Sequence, residues 1–100
     1  MTDIARLTAT DFDAYVGKSF QGSPTGHTQA EVGLVLVSVT RRGAVPGFRE
    51  PFTLELLGPA SPVLAQGTYR LDHPEHGPLE LFMVPVGAGA EGVRYEIAFG

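Results

Sequence analysis

Apolar and polar positions alternate over several stretches of this chain. Phe52, Leu54 and Leu56 are interleaved with Thr53 and Glu55. Tyr69 and Leu71 are interleaved with Thr68, Arg70 and Asp72, and Val93, Tyr95, Ile97 and Phe99 with Arg94, Glu96 and Ala98. Successive side chains of a strand point to opposite faces, so a period of two predicts a strand with one face buried. Leu79, Leu81 and Met83 alternate with Glu80, Phe82 and Val84, which makes that strand apolar on both faces past its start. Residues 28–40 predict a long strand and residues 18–21 a short one. Clusters rich in glycine and proline at 22–26, 42–47, 58–62, 73–78 and 87–92 separate these runs and read as turns.

Residues 10–17 follow a different period. Phe12, Tyr15 and Val16 have the spacing of one helix face. Thr10 is a suitable cap, Asp11 and Asp13 favour the positive end of the helix dipole, and Gly17 is a suitable stop. Two turns cannot persist alone, so this helix must dock its apolar face.

Five clear strands and a weaker sixth, joined mostly by short connections, predict antiparallel neighbours. The expected fold class is mainly β: a small antiparallel barrel or sandwich of five to seven strands with one short N-terminal helix. Residues 1–100 form a single domain. Tyr69, Leu71, Phe82, Tyr95, Ile97 and Phe99 are expected to share one core, with Phe52 and Leu54 beside it. In the long strand, Val32, Leu34 and Leu36 fall on one face and Val35, Val37 and Val39 on the other. Such a strand needs cover on both sides. The helix is only about 10 Å long, and the strand about 25 Å. Val35, Val37 and Val39 are therefore the expected protein–protein interface.

Composition narrows the partners. In 100 residues, 43% hydrophobic and 18% charged, there is one core and little apolar surface left over for a deep cavity. The net charge is -4, and the basic residues Arg6, Lys18, Arg41, Arg42, Arg49, Arg70 and Arg94 are scattered. Nucleic-acid binding needs a basic face, so no nucleic-acid partner is expected. The absence of cysteine rules out disulfides and suits a cytoplasmic location. The Met1-Thr2-Asp3-Ile4 start lacks the basic and apolar regions of a secretory leader. No apolar run approaches the roughly 20 residues of a membrane span, so no membrane partner is expected.

Candidate chemistry is sparse. Asp72-His73-Pro74-Glu75-His76 holds metal-ligand residue types, but a metal site needs three or four ligands. His27 is the remaining histidine. A polar turn shaped by Pro74 and Gly77 accounts for the segment, and neither metal nor cofactor is expected. Gly17-Lys18-Ser19 resembles the end of a phosphate loop but lacks the earlier glycine and the following helix. The glycines at 87–92 join two strands of a hairpin rather than opening a helix. Ser19, Ser23, Ser38 and Ser61 show no nucleophile-elbow context. Glu55, Glu80 and Glu96 face outward, and Glu50-Pro51-Phe52 reads as a strand entrance.

Several segments resemble a family of short bacterial proteins described only as a domain of unknown function. They are Glu50-Pro51-Phe52, Leu56-Leu57-Gly58-Pro59, Gln66-Gly67-Thr68-Tyr69-Arg70-Leu71 with His73-Pro74, Leu79-Glu80-Leu81-Phe82 with Val84-Pro85-Val86-Gly87, and Tyr95-Glu96 with Phe99. The helix with Asp11-Phe12 and Val16-Gly17 resembles the family as well, and residues 21–47 do not. The resemblance implies an accessory role beside phage-tail-collar-like fibre proteins and carries over no catalytic residue. The expected function is a non-enzymatic structural or protein-interaction domain, whose partner is itself or another protein in an oligomer or assembly. The alternative is a module binding a small ligand or peptide at a barrel mouth or along an open edge.

Overall fold

A computed structural model describes residues 4–24 and 31–100. Six antiparallel strands close into a barrel in the order β1-β2-β3-β6-β5-β4. They are β1 (Ser19–Pro24), β2 (Val32–Arg41), β3 (Phe52–Gly58), β4 (Gly67–His73), β5 (Gly77–Gly89) and β6 (Gly92–Phe99). Two three-stranded meanders, β1-β2-β3 and β4-β5-β6, meet at the β3–β6 and β1–β4 seams. The connection 59–66 crosses one barrel end to link them.

The period-two residues line the interior. Leu34, Leu36, Leu54, Leu56, Leu71, Leu79, Leu81, Met83, Tyr95 and Ile97 are buried there. One space inside, lined by Phe12, Phe20 and six leucines, has a volume of about 10 Å³. That is about the room of one water probe. Closure also removes the open edge along most of the sheet.

Both ends are plugged. At the first, Phe12 packs on Phe52 and Phe99, with centroids 5.9 and 5.6 Å away, and those two rings stack at 4.4 Å. At the second, Leu64 is buried, its N–H donates to the Tyr95 hydroxyl at 2.8 Å, and the Tyr69 hydroxyl donates to the Ala65 carbonyl. Burial pushes the Tyr69 hydroxyl above its ordinary pKa.

Several expectations need correction. The helix α1 is a single turn, Thr10–Asp13, and a 3-10 turn precedes it at Ile4–Arg6. Thr10 is not its cap. The Asp11 carboxylate instead accepts the Thr8 backbone N–H at 2.7 Å, half of a capping box. The helix ends at Asp13 with Ala14 as its C-cap, so Val16 is exposed rather than sharing the face of Phe12, and Gly17, at φ 89°, belongs to the turn that leads into β1 and is not the helix stop. The weak first strand is a full barrel member, and Gly22, Ser23 and Pro24 pair with β4 instead of turning. Residues 28–30 of the long strand and His27 lie outside the described residues. Phe82 is 55% exposed and not in the core. Its strand is apolar on both faces, and the phase that buries Leu79, Leu81 and Met83 sends Phe82 outward.

The proposed valine face is also divided. The β2–β3 register shifts between Leu36 and Ser38, where Leu36 faces Leu56, Ser38 faces Glu55 and Val39 faces Leu54. Val37 is the extra residue of this bulge. Val39 therefore turns inward against the core. Val37 is 41% exposed, and Val35 is half-buried opposite Leu57 on the outer wall. Phe12 draws the helix to the barrel end, where it packs on Phe52 and Phe99.

Candidate functional site

The histidine segment belongs to the first plug. His73 is 2% exposed. Its Nδ1 accepts the backbone N–H groups of Glu75 and His76 at 3.0 and 3.2 Å, and its Nε2 lies 2.9 Å from the Asp11 carbonyl oxygen. That network assigns the proton to Nε2, which donates to Asp11. The Nδ1 lone pair is thus spent on backbone donors and is not offered to a metal. Phe12 and Tyr15 meet this ring edge-on at 5.3 and 4.8 Å. His73 therefore fastens the β4–β5 turn to α1.

Around it lie Thr8, Asp11 and His76. The His76 Nε2 is 3.2 Å from Asp11 Oδ1, and the Thr8 hydroxyl donates to Asp11 Oδ2 at 3.3 Å. Asp11 sits in the middle of this chain. Acyl transfer by a nucleophile–His–carboxylate set needs the histidine in the middle, so the order here supplies no activated hydroxyl. The Asp11 carboxyl is held below its ordinary pKa chiefly by the Thr8 backbone N–H, with His76 adding to this and burial opposing it. The Tyr15 hydroxyl donates to Glu75 at 2.7 Å, which raises its pKa. Among the described residues no group of three or more acidic, histidine or cysteine side chains is placed to hold a metal.

A second feature of this end was not legible in the sequence. Arg6, Arg41 and Arg49 converge on a surface cavity of about 560 Å³, together with Ala5, Thr8, Ala9, Thr10 and Glu50. Arg41 is paired with Asp13, and Glu50 accepts the Gly43 N–H at 3.1 Å. Arg49 donates to the Ile4 and Leu7 carbonyls at 2.7 and 2.9 Å and twice to the Gly100 oxygen. Its guanidinium also lies over Phe52 and Phe99, 5.8 and 5.7 Å from their centroids. Arg49→Lys keeps the charge but loses the planar fork that spans these separate oxygens. A loss of about 1.5–3 kcal/mol in urea unfolding is expected, and a change within error would mean that the fork is not needed.

Beside the cavity, Val45-Pro46-Gly47-Phe48 forms a turn in which the Phe48 N–H donates to the Val45 carbonyl at 3.0 Å. Proline at the second position and Gly47 at φ 86° at the third are what a type II turn requires. Phe48 is 76% exposed at its tip, next to exposed Val45. The Arg42 N–H to Pro51 carbonyl bond (2.9 Å) holds the base of this loop.

The family model for a domain of unknown function, DUF6916, matches residues 7–99. The chain belongs to the DUF6916 family. No curated protein and no solved structure matches it. The matched span runs from buried Leu7 to buried Phe99, so the DUF6916 domain comprises the six strands and both plugs. No helix among the described residues is long and apolar enough to cross a membrane. Of the expected site residues in this DUF6916 barrel, Val35 and Val37 share the outer wall and Val39 does not. The arginine convergence comes from residues far apart in sequence. The Pro46-Gly47 pair before an aromatic was the one local signal for the Phe48 turn.

Proposed function

We propose that this DUF6916 domain is a non-enzymatic interaction module that assembles with copies of itself, head to tail. The hydrogen-bonded turn that holds Phe48 into solvent carries this reading. A pre-ordered, exposed aromatic loses little entropy on docking, which is what makes such residues interface anchors. At the other barrel end, β5 outruns β4: its pairing with β4 stops at Met83, while its pairing with β6 continues to Gly89. The resulting β5–β6 hairpin exposes Val86 and Ala88. Val35, Val37 and Leu57 add an apolar strip on the wall. An anchor at one end and an apolar arm at the other are different surfaces, so copies joined through them form a ring or a filament. The resemblance to proteins found beside fibre genes points the same way, toward an accessory of a phage-tail-like or fibre assembly.

The test is native particle mass across a dilution series. The wild-type protein should exceed one chain in mass. Phe48→Asp should fall to one chain while melting unchanged, since Phe48 buries little. A wild-type particle that is one chain at every concentration overturns the reading.

A further inference from the structure

We infer that His73 is a proton-sensitive latch: when its ring takes up a second proton, α1 leaves the first barrel end. The ring is 2% exposed and both of its nitrogens are committed. Nε2 donates to the Asp11 carbonyl on α1 at 2.9 Å, and Nδ1 accepts the N–H groups of Glu75 and His76 at 3.0 and 3.2 Å. A second proton has to sit on Nδ1. It would point at two N–H donors, and both donors would lose their acceptor. The ring also lies among Phe12, Tyr15 and Phe20, at 5.3, 4.8 and 6.0 Å, and a charge buried there needs a partner. The acids around it are engaged elsewhere: Asp11 by Thr8 and His76, Asp13 by Arg41, Glu75 by Tyr15 and Asp72 by Arg70. From β1 the ring meets Phe20, which brings no charge.

Proton uptake gives the sign. The docked ring holds one proton, whereas a released ring in water holds two below the ordinary imidazole range of about 6.5. Falling pH therefore favours release. Between about pH 7.5 and about pH 5, the ratio of released to docked α1 should rise on the order of tenfold to thirtyfold. The Asp11 carboxyl is held below its ordinary value chiefly by the Thr8 N–H, so its support is lost only in stronger acid. His76 acts in the opposite sense, because its protonation strengthens the contact with Asp11 at 3.2 Å. A single helical turn has no stability of its own to keep it in place. Its release would uncover Phe52 and Phe99 and take the Ile4 and Leu7 carbonyls from Arg49, the residue after Phe48. The latch thus governs the end that carries the Phe48 turn, whether or not copies assemble through it.

The experiment titrates wild type, His76→Gln and His73→Asn across this window. Imidazole nitrogen NMR follows the ring, the Asp11 and Phe12 amides report docking, and protease cleavage before β1, measured against an unstructured peptide, reports release. In wild type and His76→Gln, His73 should carry its proton on Nε2 at neutral pH and gain the second in step with the amide shifts, as cleavage rises by the factor above. Asn at this position keeps a side-chain oxygen that can accept the N–H two residues on, but it has no ring to titrate. His73→Asn should therefore be cut faster than wild type at neutral pH and no faster in acid. A ring that gains the second proton while the Asp11 amide keeps its docked position overturns the latch. So does wild-type cleavage that ignores pH, or an acid response in His73→Asn equal to that of wild type. Should His73→Asn not fold, the ring and cleavage of wild type and His76→Gln decide the matter by the same results.

Discussion

Phe12→Ala lowers the free energy of unfolding by about 3–5 kcal/mol, the range for truncating a large buried aromatic. Phe82→Ala changes it by no more than about 0.5 kcal/mol, as expected at an exposed site without special contacts. The two substitutions remove the same atoms and differ in what surrounds them. Phe12 is buried against Phe52, Phe99 and the His73 ring, where it closes the first barrel end. Its loss leaves a void beside a space that already exists among Phe20, Leu36 and Leu54, and the strands around it are fixed by pairing on both sides, so collapse is limited. A single helical turn has no stability of its own, so α1 should also detach and expose the segment before it to protease. Phe82 stands on the outer wall opposite Thr68. Urea unfolding of the two variants side by side decides the matter. Equal costs would mean that the strand phase of β5 is wrong.

That phase is where alternation stopped being informative. In β6, Arg94 and Glu96 mark the outside without ambiguity, and Tyr95 and Ile97 are buried as their period requires. In β5, Glu80 marks the outside once, but Phe82 and Val84 beyond it are apolar, and the burial of Leu79, Leu81 and Met83 settles that Phe82 follows Glu80 outward. In β2 the period itself is interrupted. One inserted residue at Val37 swaps the faces beyond it, so Val39 joins Leu54 inside, and no local signal in a run of valines announces the shift. The helix was legible from Phe12 and Asp11, but its length and its stop were not. The capping carboxylate serves Thr8, and His73 pulls the Asp11 carbonyl toward the β4–β5 turn, a contact across 62 positions. The arginine cavity is hidden for the same reason. Arg6, Arg41 and Arg49 become neighbours only when the barrel closes and its plug docks.

Gly92→Ala should lower stability by about 2–6 kcal/mol, the sum of a strained backbone at about 1–3 kcal/mol and forced repacking at about 1–3 kcal/mol. Gly89→Ala, across the same hairpin, should be close to neutral. Gly92 has φ 134°, a backbone conformation that residues with a Cβ rarely adopt, and a Cβ there would overlap the Gly58 carbonyl oxygen. Relief requires β3 and β6 to part where Gly58 pairs with Val93, next to buried Tyr95, which also anchors Leu64. The second plug should therefore loosen with the seam. A Cβ at Gly89 would meet nothing within 4 Å, and the backbone there has no positive φ. Its substitution thus adds the same methyl group to the hairpin without the clash or the strain. Thermal melts of both variants read the stability, and sedimentation separates it from assembly. Gly92→Ala should lose stability and association together because the β5–β6 arm springs from this residue. A Gly92→Ala protein that melts like wild type would mean that the β5–β6 arm leaves the barrel by another path.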